Sequence, residues 1–361
     1  MPKYLDKLNF TITGASHSES IVTSLDGIPS GLTIDLDALQ SFCDRRKSVN
    51  PTLTTPRREE DTLVVKSGFD TIKGKSVTTG DTIEVVVFNK VNNSRDYDSL
   101  KNIPRPSHAD YTALARYGDS VDLRGGGRFS GRLTLGHSIT GGIAKQLLSS
   151  YGVSVTAYIG EIAGIKGKSY SDGLTINECE SVDKTFAVIG DSAPMIDAIT
   201  KARLDGDSVG GVVECIVWNM PVGVGGELDD GLEGKIAGLL YSIPAVKGVE
   251  FGSGFGVTRM KGSVANDSFY YDNGTVKTKT NNNGGINGGI SNGMPITIRV
   301  AFKPTPSISK EQDSVNLKTG ENVKLSIGGR HDACIVPRAV VAVEATVCLA
   351  IYDSILQREN Y

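Results

Sequence analysis

Residues 338–357 read RAVVAVEATVCLAIYDSILQ. A helix over this stretch is apolar on nearly all faces, and a helix without a polar side has to be covered all round. The segment is therefore expected to be buried between layers of other structure. That requirement constrains the rest of the chain more than any other single feature.

The material for such layers is present. IEVVVFN (83–89), VSVTAYIG (153–160), GVVECIVW (211–218) and ITIRVAFK (296–303) are β-branched runs of strand length. Helical spacing occurs over 35–46, 132–150, 193–206 and 231–243. Segments 47–61, 90–130 and 272–294 carry no such pattern, and loops that long are usually functional or disordered. The chain has 361 residues, and at about 150 residues per domain it could hold two domains or one large one. No composition break and no internal repeat marks a boundary, so we expect a single α+β domain spanning residues 1–361.

Composition narrows the class of protein. Hydrophobic residues at 39% and charged residues at 22% exclude a disordered chain. Lys plus Arg number 38 against 41 Asp plus Glu, a net charge of −3, which argues against a bulk nucleic-acid or anionic-membrane binder. No run reaches 18 uninterrupted apolar residues, so no membrane span is expected. The N-terminal MPKYLDKLNF is too polar for a secretory leader. Five widely spaced cysteines without CxxC spacing indicate neither a zinc site nor a disulfide framework. A cytoplasmic location is the expectation.

Glycine is the excess residue, 43 of 361, where roughly 7% is average. Its clusters at 125–127, 210–211, 284–285 and 288–289 suit either tight turns or loops that cradle a ligand. Two phosphate-loop near-misses fail: five residues before Gly74-Lys75 stands Phe69, and before Gly167-Lys168 stands Ile162, where a glycine is needed. GVEFGSGFG at 248–256 lacks the strand–helix context of a dinucleotide fold.

Four histidines are present. His17 (TGASHSES), His108 (RPSHADY) and His331 (GGRHDAC, beside Asp332) lie in loops, whereas His137 falls inside a helical pattern and reads as structural. None has metal-ligand spacing, so no metal is expected. Arginines accompany the same loops: Arg45, Arg46, Arg57, Arg58, Arg105, Arg124, Arg128, Arg132 and Arg330. A guanidinium fork binds carboxylate or phosphate bidentately. Its recurrence beside histidine and glycine in an acidic chain points to a small polyanionic substrate.

Nine blocks carry a resemblance: GASHSES (14–20), TTPRREED (54–61), RPSHADYTALARYG (105–118), RGGGRFSGRLT (124–134), GDSVGGVVEC (206–215), SIPAVKGVEFGSGF (242–255), GGINGGISNGMPI (284–296), KPTPSI (303–308) and GGRHDACIVPRAV (328–340). In order, over nearly the whole chain, they resemble chorismate synthases. The resemblance implies a β-α-β sandwich with helices between antiparallel sheets, assembled as a homotetramer. It implies a carbon–oxygen lyase of the shikimate pathway and aromatic amino acid biosynthesis. The reaction is 1,4-anti elimination of phosphate from 5-enolpyruvylshikimate 3-phosphate, giving chorismate. Reduced FMN is required, with no net redox change.

By that resemblance His17, His108 and Asp332 are catalytic. His17 assists the leaving phosphate, His108 serves the protonation of the reduced flavin, and Asp332 works with the flavin in removing the C6 proton. Ser16, Arg46, Arg105 and Arg132 match substrate positions. Arg128, Phe129, Ser130, Pro244, Ala245, Gly288, Lys303, Pro304, Thr305, Pro306, Ser307 and Arg330 match flavin positions. From the residues alone KPTPSI reads as a strand-ending turn.

The chain departs from the family pattern at Ala15, Ser18, Thr52, Phe129 and Pro306, among others. These changes leave a second reading, a degenerate flavin-binding homologue without lyase activity. A net oxidoreductase finds no separate nicotinamide fold in the sequence. With Thr52 in place of a family arginine, an enzyme dependent on an external flavin reductant is expected, rather than one that reduces its own FMN.

Overall fold

A computed structural model describes residues 4–47, 60–89, 102–328 and 332–359. Two antiparallel sheets hold a layer of helices between them. The first sheet orders Asn9–Thr13, Ser20–Asp26, Ile83–Phe88 and Val64–Ser67. The second orders Val246–Phe251, Ile296–Phe302, Gly211–Trp218, Ser154–Ile162 and Ile165–Lys166. This is the expected sandwich.

Burial along each strand follows from its place. In Ser20–Asp26 the inward residues Ile21, Thr23 and Leu25 alternate with half-buried ones, the period-2 pattern of a strand with one covered face. Gly211–Trp218 and Ser154–Ile162 sit inside their sheet, and both are buried on nearly every residue. Helices Ile176–Ser181 and Ala193–Leu204 cover the outer face there.

The interior layer centres on two helices, Thr134–Leu148 and Val336–Arg358. The first packs on the four-stranded sheet and the second on the five-stranded one. Every residue from Ala339 to Leu356 is buried, as the all-round apolar pattern requires. By length and composition this helix is apolar enough to cross a membrane, but its apolar stretch is fully buried inside the protein. The two helices approach closely because Gly141 has no side chain: a Cβ there would stand 2.0 Å from the Ala345 carbonyl oxygen.

Several polar groups in this layer are hydrogen-bonded. Thr346 and Ser354 donate to the carbonyls of Ala342 and Ala350 at 2.8 and 3.0 Å. Glu344 accepts both arms of Arg45 at 3.0 and 2.7 Å and pairs with Lys145 at 3.0 Å. This fixes the end of helix Leu36–Asp44 against the core, and so places Arg46, the next residue, at the site described below.

Two expectations of irregular structure are corrected. Within 90–130, residues 90–101 lie outside the described structure, but Asp110–Tyr117 forms a helix. Within 272–294, hairpins form at Phe269–Asp272 with Thr275–Thr278 and at Ile286–Asn287 with Ile290–Ser291. Asn273-Gly274, with φ of 49° and 82°, closes the first. That pairing is a strong hairpin signal that outweighs the absence of a long periodic run. Of segment 47–61, residues 48–59 are outside the described residues.

Candidate active site

At one end of the central helices several loops enclose a cavity of about 600 Å³, within the range of small-molecule sites. Its floor is the start of helix Val336–Arg358, with Arg338, Ala339 and Ala342. Ser16, Arg46, Arg132, His108, Asp332 and Arg105 all line it, as do Arg128, Phe129, Ser130, Pro244, Ala245, Lys303, Thr305, Pro306 and Ser307. Most residues proposed from the sequence are thus brought together from across the chain.

One wall is the turn Gly125–Gly127. Gly125 takes φ +58°, and a Cβ there would lie 2.2 Å from His17 Cε1 and 2.8 Å from Ser16 Oγ. Only glycine lets this turn lie against the Ser16-His17 loop, which also donates the Ser16 N–H to the Gly127 carbonyl at 3.2 Å. His17 consequently stands behind the turn and does not line the cavity.

The cationic part is built on few counter-ions. Arg132 donates to Asp61 Oδ2 at 2.8 Å and pairs with its Oδ1 at 2.6 Å, while its other edge meets Asn89 Oδ1 at 3.0 Å. Arg46 donates to Thr134 Oγ1 at 3.1 Å and lies 3.6 Å from the same Asp61. Arg338 donates to the Arg46 carbonyl at 3.1 Å and to Asp332 Oδ2 at 2.9 Å. Burial opposes a charge on Asp61, but the Arg132 hydrogen bonds and charge outweigh it and hold the carboxyl below its ordinary value. Burial, together with the Arg338 and Arg132 charges, weakens the hold of Arg46 on its proton, against the pull of Asp61. Such a cluster is relieved by an incoming anion.

Arg105 is differently disposed. Its Nε and Nη2 reach Asp110 at 2.7 Å each, and its Nη1 meets Ser307 Oγ at 3.2 Å. It therefore clasps the His108 loop to the 303–307 strand end rather than holding an open fork toward the cavity.

Phe129, Ile243, Pro244 and Ala245 make an apolar part of the lining. Ala245 takes φ +73°, unusual for a side-chain-bearing residue, and its carbonyl accepts the Lys303 N–H at 3.0 Å. The Lys303 ammonium donates to the Ser107 carbonyl. Thr305 Oγ1 is buried and has no hydrogen-bond partner among the described residues.

Two flavin positions fall elsewhere. Pro304 is exposed and packs near Gly210. Gly288 sits at the exposed tip of the Ile286–Ser291 hairpin, where its φ of +62° makes the turn, away from the cavity lining. Arg330 and His331 lie outside the described residues. His137 is structural: buried in its helix, it is 2.8 Å from Ser242 Oγ and edge-on to Phe10. Sequence reasoning overlooked Asp61, Asp110 and Arg338. For Arg338 a signal existed, a lone cation in the first turn of an otherwise apolar helix.

A family model described as chorismate synthase matches residues 8–356. The chain belongs to the chorismate synthase family. It is 46% identical over 359 residues to a chorismate synthase of Dehalococcoides mccartyi, covering 99% of this chain and 97% of that protein. It is 42% identical to one of Thermococcus gammatolerans, covering 98% and 97%. A crystal structure of a chorismate synthase superposes with a TM-score of 0.74 at 25% identity, over 98% of this chain and 93% of that one. Chorismate synthases are lyases, and the chain is an enzyme of that class. Similarity at this level along the full length lends no support to a homologue that has lost its chemistry.

Proposed function

We propose that this chain converts 5-enolpyruvylshikimate 3-phosphate to chorismate and inorganic phosphate with reduced FMN. The observation that carries the reading is one cavity that joins an anion-starved arginine cluster to His108, Asp332 and an apolar stretch of lining. The residue types there suit a flavin: Phe129, Pro244 and Ala245 a planar ring, Lys303 and Arg128 a phosphate, and the unpartnered Thr305 hydroxyl a further polar contact. When bound, reduced FMN lends electron density to the C–O bond being broken, which no side chain does well.

The chain's own residues do the rest. Arg46, Arg132 and Arg338 hold the substrate's phosphate and carboxylates and fix its orientation. The proton leaves C6 toward Asp332, whose carboxylate Arg338 holds in place at 2.9 Å. Phosphate departs from C3 with the bonding pair, toward the cations and the Ser16-His17 loop.

The finer readings belong to the same proposal. One hydrophobic cluster runs from Leu8 to Leu356, which favours a single domain. The exposed side chains of Phe255, Val264, Phe269 and Tyr271 favour self-association as a homotetramer. All five cysteines are free and buried, which suits the cytoplasm. An external reductant supplies FMNH2.

The test is anaerobic. Substrate and dithionite-reduced FMN are mixed with the protein, and phosphate release and chorismate absorbance are followed with oxidised FMN as control. Turnover with reduced flavin alone is expected; binding of both ligands without turnover would overturn the reading.

A further inference from the structure

The loop that carries His108 holds a buried carboxylate to which the sequence assigns no role. Asp110 begins the helix Asp110–Tyr117 and is 4% exposed. Its Oδ1 lies 2.6 Å from His108 Nδ1 and accepts from Arg105 Nη2 at 2.7 Å. Its Oδ2 accepts Arg105 Nε at 2.7 Å and the Arg105 backbone N–H at 3.0 Å. We propose that Asp110 is a positioning residue for His108, fixing the imidazole proton on Nδ1 and leaving Nε2 as the nitrogen that works at the cavity.

The donors and acceptors allow one assignment. Arg105 only donates, so the carboxylate it grips is ionised and only accepts. A bare Nδ1 at 2.6 Å would set two lone pairs against each other, so Nδ1 carries the proton and gives it to Asp110. The 3.1 Å separation of Arg105 Nη2 from His108 Nδ1 is then that of two donors sharing Oδ1. Burial works against the Asp110 charge, yet hydrogen bonds from Arg105 and His108 hold its carboxyl well below the usual range.

The ring is turned by the same contact. With Nδ1 tied to Asp110, Nε2 lies over the glycine turn, 3.4 Å from where a Cβ on Gly126 would stand. The other charged group at this loop is Lys303, whose ammonium meets the Ser107 carbonyl. The arrangement follows the logic by which a carboxylate sets the tautomer of a histidine that acts through its far nitrogen. The inference rests on the function proposed above, because Nε2 matters to turnover only if this cavity binds the reactants.

The full chain labelled with ¹⁵N-histidine tests it, with four histidines to resolve and His108→Ala giving the assignment. Neutral His108 is expected to show a protonated Nδ1 and a bare Nε2, and Asp110→Asn is expected to return it to a mixture of tautomers. A wild-type His108 protonated on Nε2 overturns the proposal without any variant having to fold. In turnover assays Asp110→Asn should lose about 10²-fold in kcat, and His108→Ala/Asp110→Asn should fall within about twofold of His108→Ala alone. Fully additive losses would mean that Asp110 only supports Arg105 and the fold. Wild-type protein that does not turn over would count against the proposed function, while the tautomer measurement would still decide this point.

Discussion

Among the described residues lining the cavity, Asp61 and Asp332 are the only acids, against eight basic or imidazole side chains. Asp61 therefore serves as the internal counter-ion for Arg132 and Arg46. Replacing it with asparagine leaves a buried guanidinium without a charged partner, which costs about 3–5 kcal/mol when a buried pair is broken. We expect Asp61→Asn to lower the melting temperature in phosphate-free buffer. Inorganic phosphate should raise it more in this variant than in wild type, and equal phosphate dependence would show that Asp61 is not the stand-in for a bound anion. The residue scale is also where sequence reading reached its limit. His108 and the arginines were legible because few residue types do their chemistry. Asp61, Asp110 and Arg338 were not, because a charge in a loop looks the same whether it faces water or a partner 71 residues away, as Asp61 does with Arg132.

At the scale of elements, local pattern carried far. The runs at 83–89 and 211–218 and the helix after 335 formed where expected, since period and length are written locally. The helix expected over 132–150 forms as Thr134–Leu148 with a 3₁₀ turn, Gly131–Leu133, ahead of it. What periodicity could not convey is how near two helices come. Gly141→Ala gains about 1 kcal/mol in helix propensity, but its methyl would meet the Ala345 carbonyl at 2.0 Å, and overpacking costs about 1–3 kcal/mol. A net loss in urea midpoint is expected. Gly234→Ala, in helix Leu232–Leu240 with nothing within 4 Å of the added carbon, should instead stabilise by about 0.5–1 kcal/mol. Loss at both positions or gain at both would refute the packing account.

The whole molecule has a pH signature set by its buried layer. Burial, with Arg46 adding to it, pushes His137 down to about 4 despite a hydrogen bond to the Leu133 backbone. Above about pH 6.5 the imidazole is neutral in both folded and unfolded chains, and stability is full. As pH falls from there to about 4, only the unfolded chain takes up the proton, so stability drops by on the order of 3 kcal/mol. Glu344 acts in a separate, more acid window. Burial opposes its charge, but Lys145 and Arg45 hold it down at about 2, so its contribution is lost as pH falls below about 4.5. Urea unfolding at pH 7.5 and 5 checks the first window: His137→Gln should lose less stability between the two than wild type. An unchanged difference would mean that another group titrates there.

The innermost layer also has consequences during synthesis. Helix Val336–Arg358 is made after every strand that it separates. Until it emerges, the inner face of the five-stranded sheet lacks its main cover, and the pocket lacks Asp332 and Arg338. A ribosome-bound chain is thus sticky and inactive together, exposed to aggregation in the interval. The segment that ends that exposure is the one that completes the catalytic cavity, so the chain gains its full site only when its core is covered.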